Sequence, residues 1–154
     1  MKSESSGEKL LLKLKRDWQL LKKSLESLSA SAKKCEAIGI KTNYTFEQSE
    51  SFDALTSKFA RTADILTQKI IKTSILVLRE EADTFVDRMN VAEKLGMIRS
   101  AESLLQVRDL RNSISHEYES EDLNKIYAGA LRFVTTLIKE IDSTERFFAK
   151  REWI

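Results

Sequence analysis

Apolar residues recur along the start of the chain in alternating steps of three and four: Leu11, Leu14, Trp18, Leu21, Leu25, Leu28, Ala32 and Cys35. Such spacing draws a heptad stripe on a helix. Lys and Glu residues fill the other faces, so one side is wet. Ser5 and Glu8 stand in the S-x-x-E spacing of a capping box, and Gly39 breaks the pattern. A first helix is predicted over residues 7 to 37, as one member of a bundle or as a coiled-coil seam.

A second stripe runs through Phe52, Leu55, Phe59, Ala63, Leu66, Ile70 and Val77, with Thr45 and Gln48 spaced as another capping box. It predicts a helix over residues 46 to 78 that carries Lys58, Arg61, Lys69 and Lys72 between its apolar positions. Residues 80 to 95 are less regular and more acidic, and suit one or two short helices ending at Gly96. Ser100 is an N-cap candidate for a helix with Leu104, Val107, Leu110 and Ile114 inward, running out near His116. Ser120, Glu121 and Asp122 suit the start of a last helix. Its stripe is Leu123, Ile126, Tyr127, Ala130, Val134, Leu137, Ile141 and Phe148. The predicted fold is all-α, an antiparallel four-helix bundle with additional short helices in a single domain over residues 1 to 154.

Composition agrees. There is no proline and there are four glycines, too few for the turns of a sheet. Cys35 is the single cysteine, so no intrachain disulfide forms, and its place on the stripe predicts a buried thiol. No apolar run approaches the ~18 residues that span a bilayer. The first eight residues resemble neither a signal peptide nor a lipidation site. The expectation is a cytoplasmic protein without membrane contact.

The net charge of +2 is unevenly spread. Residues 8 to 34 hold eight Lys/Arg against three Asp/Glu, whereas residues 80 to 122 hold five against eleven. A basic first helix suits nucleic acid or an acidic partner, or is simply a solvated face.

Most enzyme signatures are absent. There is no phosphate-cradling glycine loop and no G-x-S-x-G, and one His with one Cys is too few for a His/Cys zinc site. No metal and no cofactor is expected. What remains is Arg111-Asn112-Ser113-Ile114-Ser115-His116-Glu117-Tyr118, which contains the single histidine. Histidine moves protons near neutrality, and the arginine fork matches phosphate oxygens. Together they form a minimal kit for phosphodiester chemistry. A less functional reading has Arg111 paired with Asp109, Glu117 or another acid, and Tyr118 packed at a corner.

The spacing R-x4-H-x-Y resembles the motif of the HEPN superfamily, in the version seen in HepT-like toxins. Residues 51 to 61 also look like the second helix of related proteins. The resemblance implies a ribonuclease toxin of a toxin–antitoxin pair, with metal-independent RNA cleavage that leaves a 2′,3′-cyclic phosphate. Arg111 and His116 are then catalytic, with Asn112 assisting and Arg108 extending the phosphate-binding face. It implies an MNT-type nucleotidyltransferase as partner, modifying Tyr118 with AMP. Some similar proteins serve instead as non-catalytic substrate-binding or docking partners of a nucleotidyltransferase.

Helix geometry adds one constraint. Five residues at about 100° each leave Arg111 and His116 about 140° apart on a regular helix. Either the helix loosens before His116, or a homodimer completes the site with a second copy of the same patch.

Overall fold

The computed structural model describes residues 5 to 116 and 122 to 154. Among them every regular element is helical. Helix α1 spans Ser6–Ile38 and α2 spans Phe46–Asp64. The latter continues without a break into a π-helical segment, Ile65–Ile71, and then α3, Lys72–Val77. A single short helix, α4 (Phe85–Lys94), leads to α5 (Ala101–Ser115) and α6 (Leu123–Lys150).

Side-chain oxygens set the helix starts. Ser5 with Glu8 and Thr45 with Gln48 form reciprocal capping boxes, and so do Thr84 and Asp87 ahead of α4. Each satisfies amide groups that the first turn leaves open. Gly39, at φ 79°, turns the chain out of α1. Asp122 caps α6 through the Lys125 amide; the expected start at Ser120 lies outside the described residues.

Residue pairs give the helix directions. Near one end of the bundle Trp18 packs edge-on against Phe148 with ring centroids 5.4 Å apart. Towards the other, the Asn124 side chain donates to the Lys41 carbonyl at 2.8 Å. Helices α1 and α6 therefore run antiparallel. The Ser24–Thr62 and Lys58–Ser31 contacts, both 2.7 Å, set α1 antiparallel to α2. Helix α5 runs against both α2 and α6. These neighbours fit the expected antiparallel bundle, and the heptad stripe of α1 packs on helices of its own chain.

The stripes form the core. Leu14, Leu21, Leu28, Phe52, Phe59, Leu66, Ile70, Leu137, Ile141 and Phe148 are fully buried. Five expected core positions differ: Leu11, Leu25 and Leu110 are half-buried against the core, and Val77 and Leu123 also depart from the expected burial. Val77 is half-buried and Ile75 is buried in its place. The π segment precedes both residues, and its wider turn shifts the phase of the helix that follows it. Leu123 is 39% exposed because it opens α6 at the end of the bundle.

Helix α5 is pinned at its start and along its side. At its start, Glu140 of α6 accepts the Arg99 and Ser100 amides at 3.0 and 3.4 Å, and Glu93 of α4 accepts the Ala101 amide at 3.1 Å. Along its side, Leu110 rests on Gly129, where an added Cβ would come within 3.2 Å of Leu110 Cδ1. Glycine there lets α5 lie close to α6 at the level of the Arg-His motif. No described helix is long and apolar enough to cross a membrane.

Candidate functional site

Helix α5 presents Arg108, Arg111 and Asn112 on the side facing α2. Arg111 reaches across to Asp64, the last residue of α2 before the π segment. Its Nε donates to both carboxylate oxygens at 2.9 and 3.1 Å, and Nη2 donates at 2.8 Å. Nη1 donates to the Ser115 hydroxyl one turn on. The bonds to Asp64 push the already high pKa of Arg111 further up, against an opposing effect of burial. An arginine has five N–H groups. Asp64 and Ser115 together hold one on each nitrogen, so among the described residues one N–H on each terminal nitrogen is left for a ligand.

Asp64 is the site residue that sequence reasoning missed. Arg111 takes its acid from another helix, so the expected pairing with an acid is present but the partner is neither near neighbour named for it. Asp109 forms no ion pair among the described residues, and Glu117 lies outside them. A trace of it was visible, because Asp64 is the lone acid in a basic run that includes Lys58, Arg61, Lys69 and Lys72. That a distant arginine would seek it follows from packing alone.

The Asp64–Arg111 pair borders two hollows. A small recess of about 70 Å³ is shared with Arg108, Asn112, Gln68 and Phe85. There the Arg108 guanidinium lies 4.5 Å from the Phe85 ring centroid, a cation–π contact that holds its head against α4. The larger cavity, about 870 Å³, opens between α1, α2 with its π segment, and α5. Arg61, Lys69, Arg111 and Asp64 supply its charges, so cations outnumber anions three to one. Ser57, Gln68 and Ser115 add hydrogen-bonding groups, and Leu20, Ile65 and Ile114 are among its apolar walls. Its size suits a ligand-binding cleft.

His116 stands at the helix exit. Regular α5 ends at Ser115, and His116 takes φ −115° and ψ 19° with its amide bonded to the Ser113 carbonyl at 3.1 Å. The helix does not loosen before His116, as one expectation had it, but only at His116 itself, which is exposed to solvent. The structure thus groups Arg108, Arg111 and Asn112 around one recess, and Arg111 with Ser115 along the larger cavity. It sets His116 beyond them on the rim of α5. Tyr118 lies outside the described residues.

The fold and site define an all-α domain with a charge-compensated arginine beside a basic cleft. No family model matches the chain, and no curated protein matches it either.

Proposed function

We propose that the chain is a HEPN-type, HepT-like ribonuclease of a toxin–antitoxin pair. It acts in the cytoplasm as a homodimer and is neutralised by a partner nucleotidyltransferase. The observation that carries the reading is the state of Arg111. Its guanidinium is oriented by Asp64 and Ser115, keeps two N–H groups for a ligand among the described residues, and lines a basic cleft on the helix that ends at the single histidine.

In this reading Arg111 binds non-bridging oxygens of the scissile phosphate and stabilises charge as it builds. One His116 takes the proton of the ribose 2′-hydroxyl, and the 2′-oxygen forms a bond to phosphorus. The bond from phosphorus to the 5′-oxygen breaks, and that oxygen receives a proton from a second His116. The products are a 2′,3′-cyclic phosphate and a 5′-hydroxyl. One chain has one histidine, so the second comes from the partner copy.

The test is an RNA cleavage assay in the presence of chelator. The intact chain cuts and His116→Ala does not. Equal cutting by His116→Ala overturns the assignment.

A second reading is favoured by the same ion pair. Arg111 is already neutralised by Asp64, as in a structural contact, and the domain then serves as a non-catalytic docking partner of the nucleotidyltransferase. Stable binding to that partner, with no cleavage of any RNA, selects this alternative.

A further inference from the structure

The larger cavity contains cations that the cleavage chemistry does not use. Arg61 and Lys69 both line it and both are exposed, and among the described residues neither enters an ion pair. They flank Asp64, where Arg111 arrives from α5, so the order along α2 is Arg61, Arg111, Lys69. Eight residues separate Arg61 from Lys69, on the order of 10 Å along the axis at ~1.5 Å per residue. One phosphate does not satisfy heads spread over that distance, whereas successive phosphates of a strand do.

The surroundings narrow the ligand further. The same cavity is lined by the apolar side chains of Leu20, Ile65 and Ile114, with Ile65 and Ile114 buried. Gln68 offers an amide beside them. A cleft with an apolar floor and a charged rim suits unpaired bases on a phosphodiester backbone. A duplex keeps its bases stacked inside and presents no apolar surface to such a floor.

We propose that this cavity is the seat of single-stranded RNA. Arg61 and Lys69 bind phosphates on either side of the one held by Arg111, and the floor formed by Leu20, Ile65 and Ile114 receives a base. The proposal rests on the ribonuclease reading for its choice of RNA, and concerns residues outside the R-x4-H motif. It also gives the π segment a role. The segment supplies Ile65, Gln68 and Lys69 to the cavity, and its wider turn sets them at angles a regular helix does not offer.

The experiment measures binding without cutting. His116→Ala protein is titrated against a fluorescent eight-nucleotide single-stranded RNA and against the same sequence as a duplex, by anisotropy at several salt concentrations. Adding Arg61→Ala and Lys69→Ala weakens single-strand binding at least ten-fold at low salt and lowers the salt slope by about 1.4, at ~0.7 per phosphate contact. A control removes two exposed lysines outside the cavity, Lys33 and Lys150, and leaves the affinity within two-fold. Arg61→Lys with Lys69→Arg restores binding, and circular dichroism verifies helix content throughout. Equal affinity for the duplex, or undiminished single-strand binding by the double alanine variant, overturns the proposal. The two readings fail separately. If the intact chain cuts RNA and the double alanine variant cuts with unchanged KM, the cavity assignment is wrong and the ribonuclease stands. If cavity-dependent binding is found in a chain that cuts nothing, the ribonuclease is wrong and the RNA seat stands.

Discussion

Asp64 and Arg111, forty-seven residues apart, meet through Nε and Nη2 of the guanidinium on both oxygens of the carboxylate, at 2.8 to 3.1 Å. The contact ties the C-terminal half of α5 to the junction between α2 and its π segment. It also fixes the plane of the one arginine in the R-x4-H motif. Side chains 31% and 39% exposed make a pair worth about 1 kcal/mol or less. Its consequence is orientation rather than stability.

Asp64→Ala therefore separates two effects. The variant melts within a few degrees of the parent. With the negative charge gone from the cleft, RNA binds more tightly and KM falls. With the guanidinium no longer held in plane, kcat falls about ten-fold or more. Steady-state kinetics on a short RNA read both quantities. An unchanged kcat removes Asp64 from the positioning role.

The composite site is testable by mixing. Arg111→Ala and His116→Ala are each inactive alone, with helix content preserved. The proposed step uses one His116 from each copy, so random exchange of equal amounts of parental chain and His116→Ala leaves about a quarter of the dimers competent, and activity falls to about a quarter. Activity that falls only to one half, in a sample that light scattering shows to be dimeric and exchanged, means that each chain works with its own histidine. A strict monomer that cuts RNA removes the dimer altogether.

Glu140 predicts a pH effect on stability. It is 3% exposed, and burial raises its pKa above the ordinary carboxyl value, opposed by the Arg99 and Ser100 amides that it accepts. A carboxyl whose folded pKa is raised favours folding while protonated. That contribution is complete below the unfolded carboxyl range and is lost as pH rises through the elevated folded value. Urea unfolding of the parent from acid to neutral pH shows this decline superimposed on other titrations. Glu140→Gln, which does not ionise, flattens it. Glu140→Ala strands two amides at the start of α5 and costs about 1–3 kcal/mol at every pH.

Tyr118 belongs to the neutralisation step of the proposal. Co-expression with the partner nucleotidyltransferase adds the mass of one or more AMP groups to that tyrosine. In the proposal, the added negative charge and bulk repel an RNA phosphate. Intact-mass spectrometry detects the increment, and Tyr118→Phe removes it together with protection from toxicity. Full neutralisation with an unmodified Tyr118 points to inhibition by binding alone.

The long helices and most of their inward faces were legible in the sequence. Helix starts depend on residues three apart, as in Ser5–Glu8 and Thr45–Gln48, and inward faces depend on apolar spacing. Both are local properties of the chain, so α1, α2 and α5 begin where their caps predict. The candidate Arg111, the lone His116 and the helix exit there were visible for the same reason. The π segment was not, because a seven-residue change in hydrogen bonding leaves little trace in a stripe of Ile, Leu and Thr. Tertiary structure alone decided the rest. It brought Asp64 to Arg111, lined one cavity with Arg61, Lys69 and Leu20, and buried Glu140 against the start of α5. Each of these joins residues dozens of positions apart, and their meeting depends on how the helices rotate and slide against one another. That choice is made by the packing of the whole core, to which no single stretch of sequence holds the key.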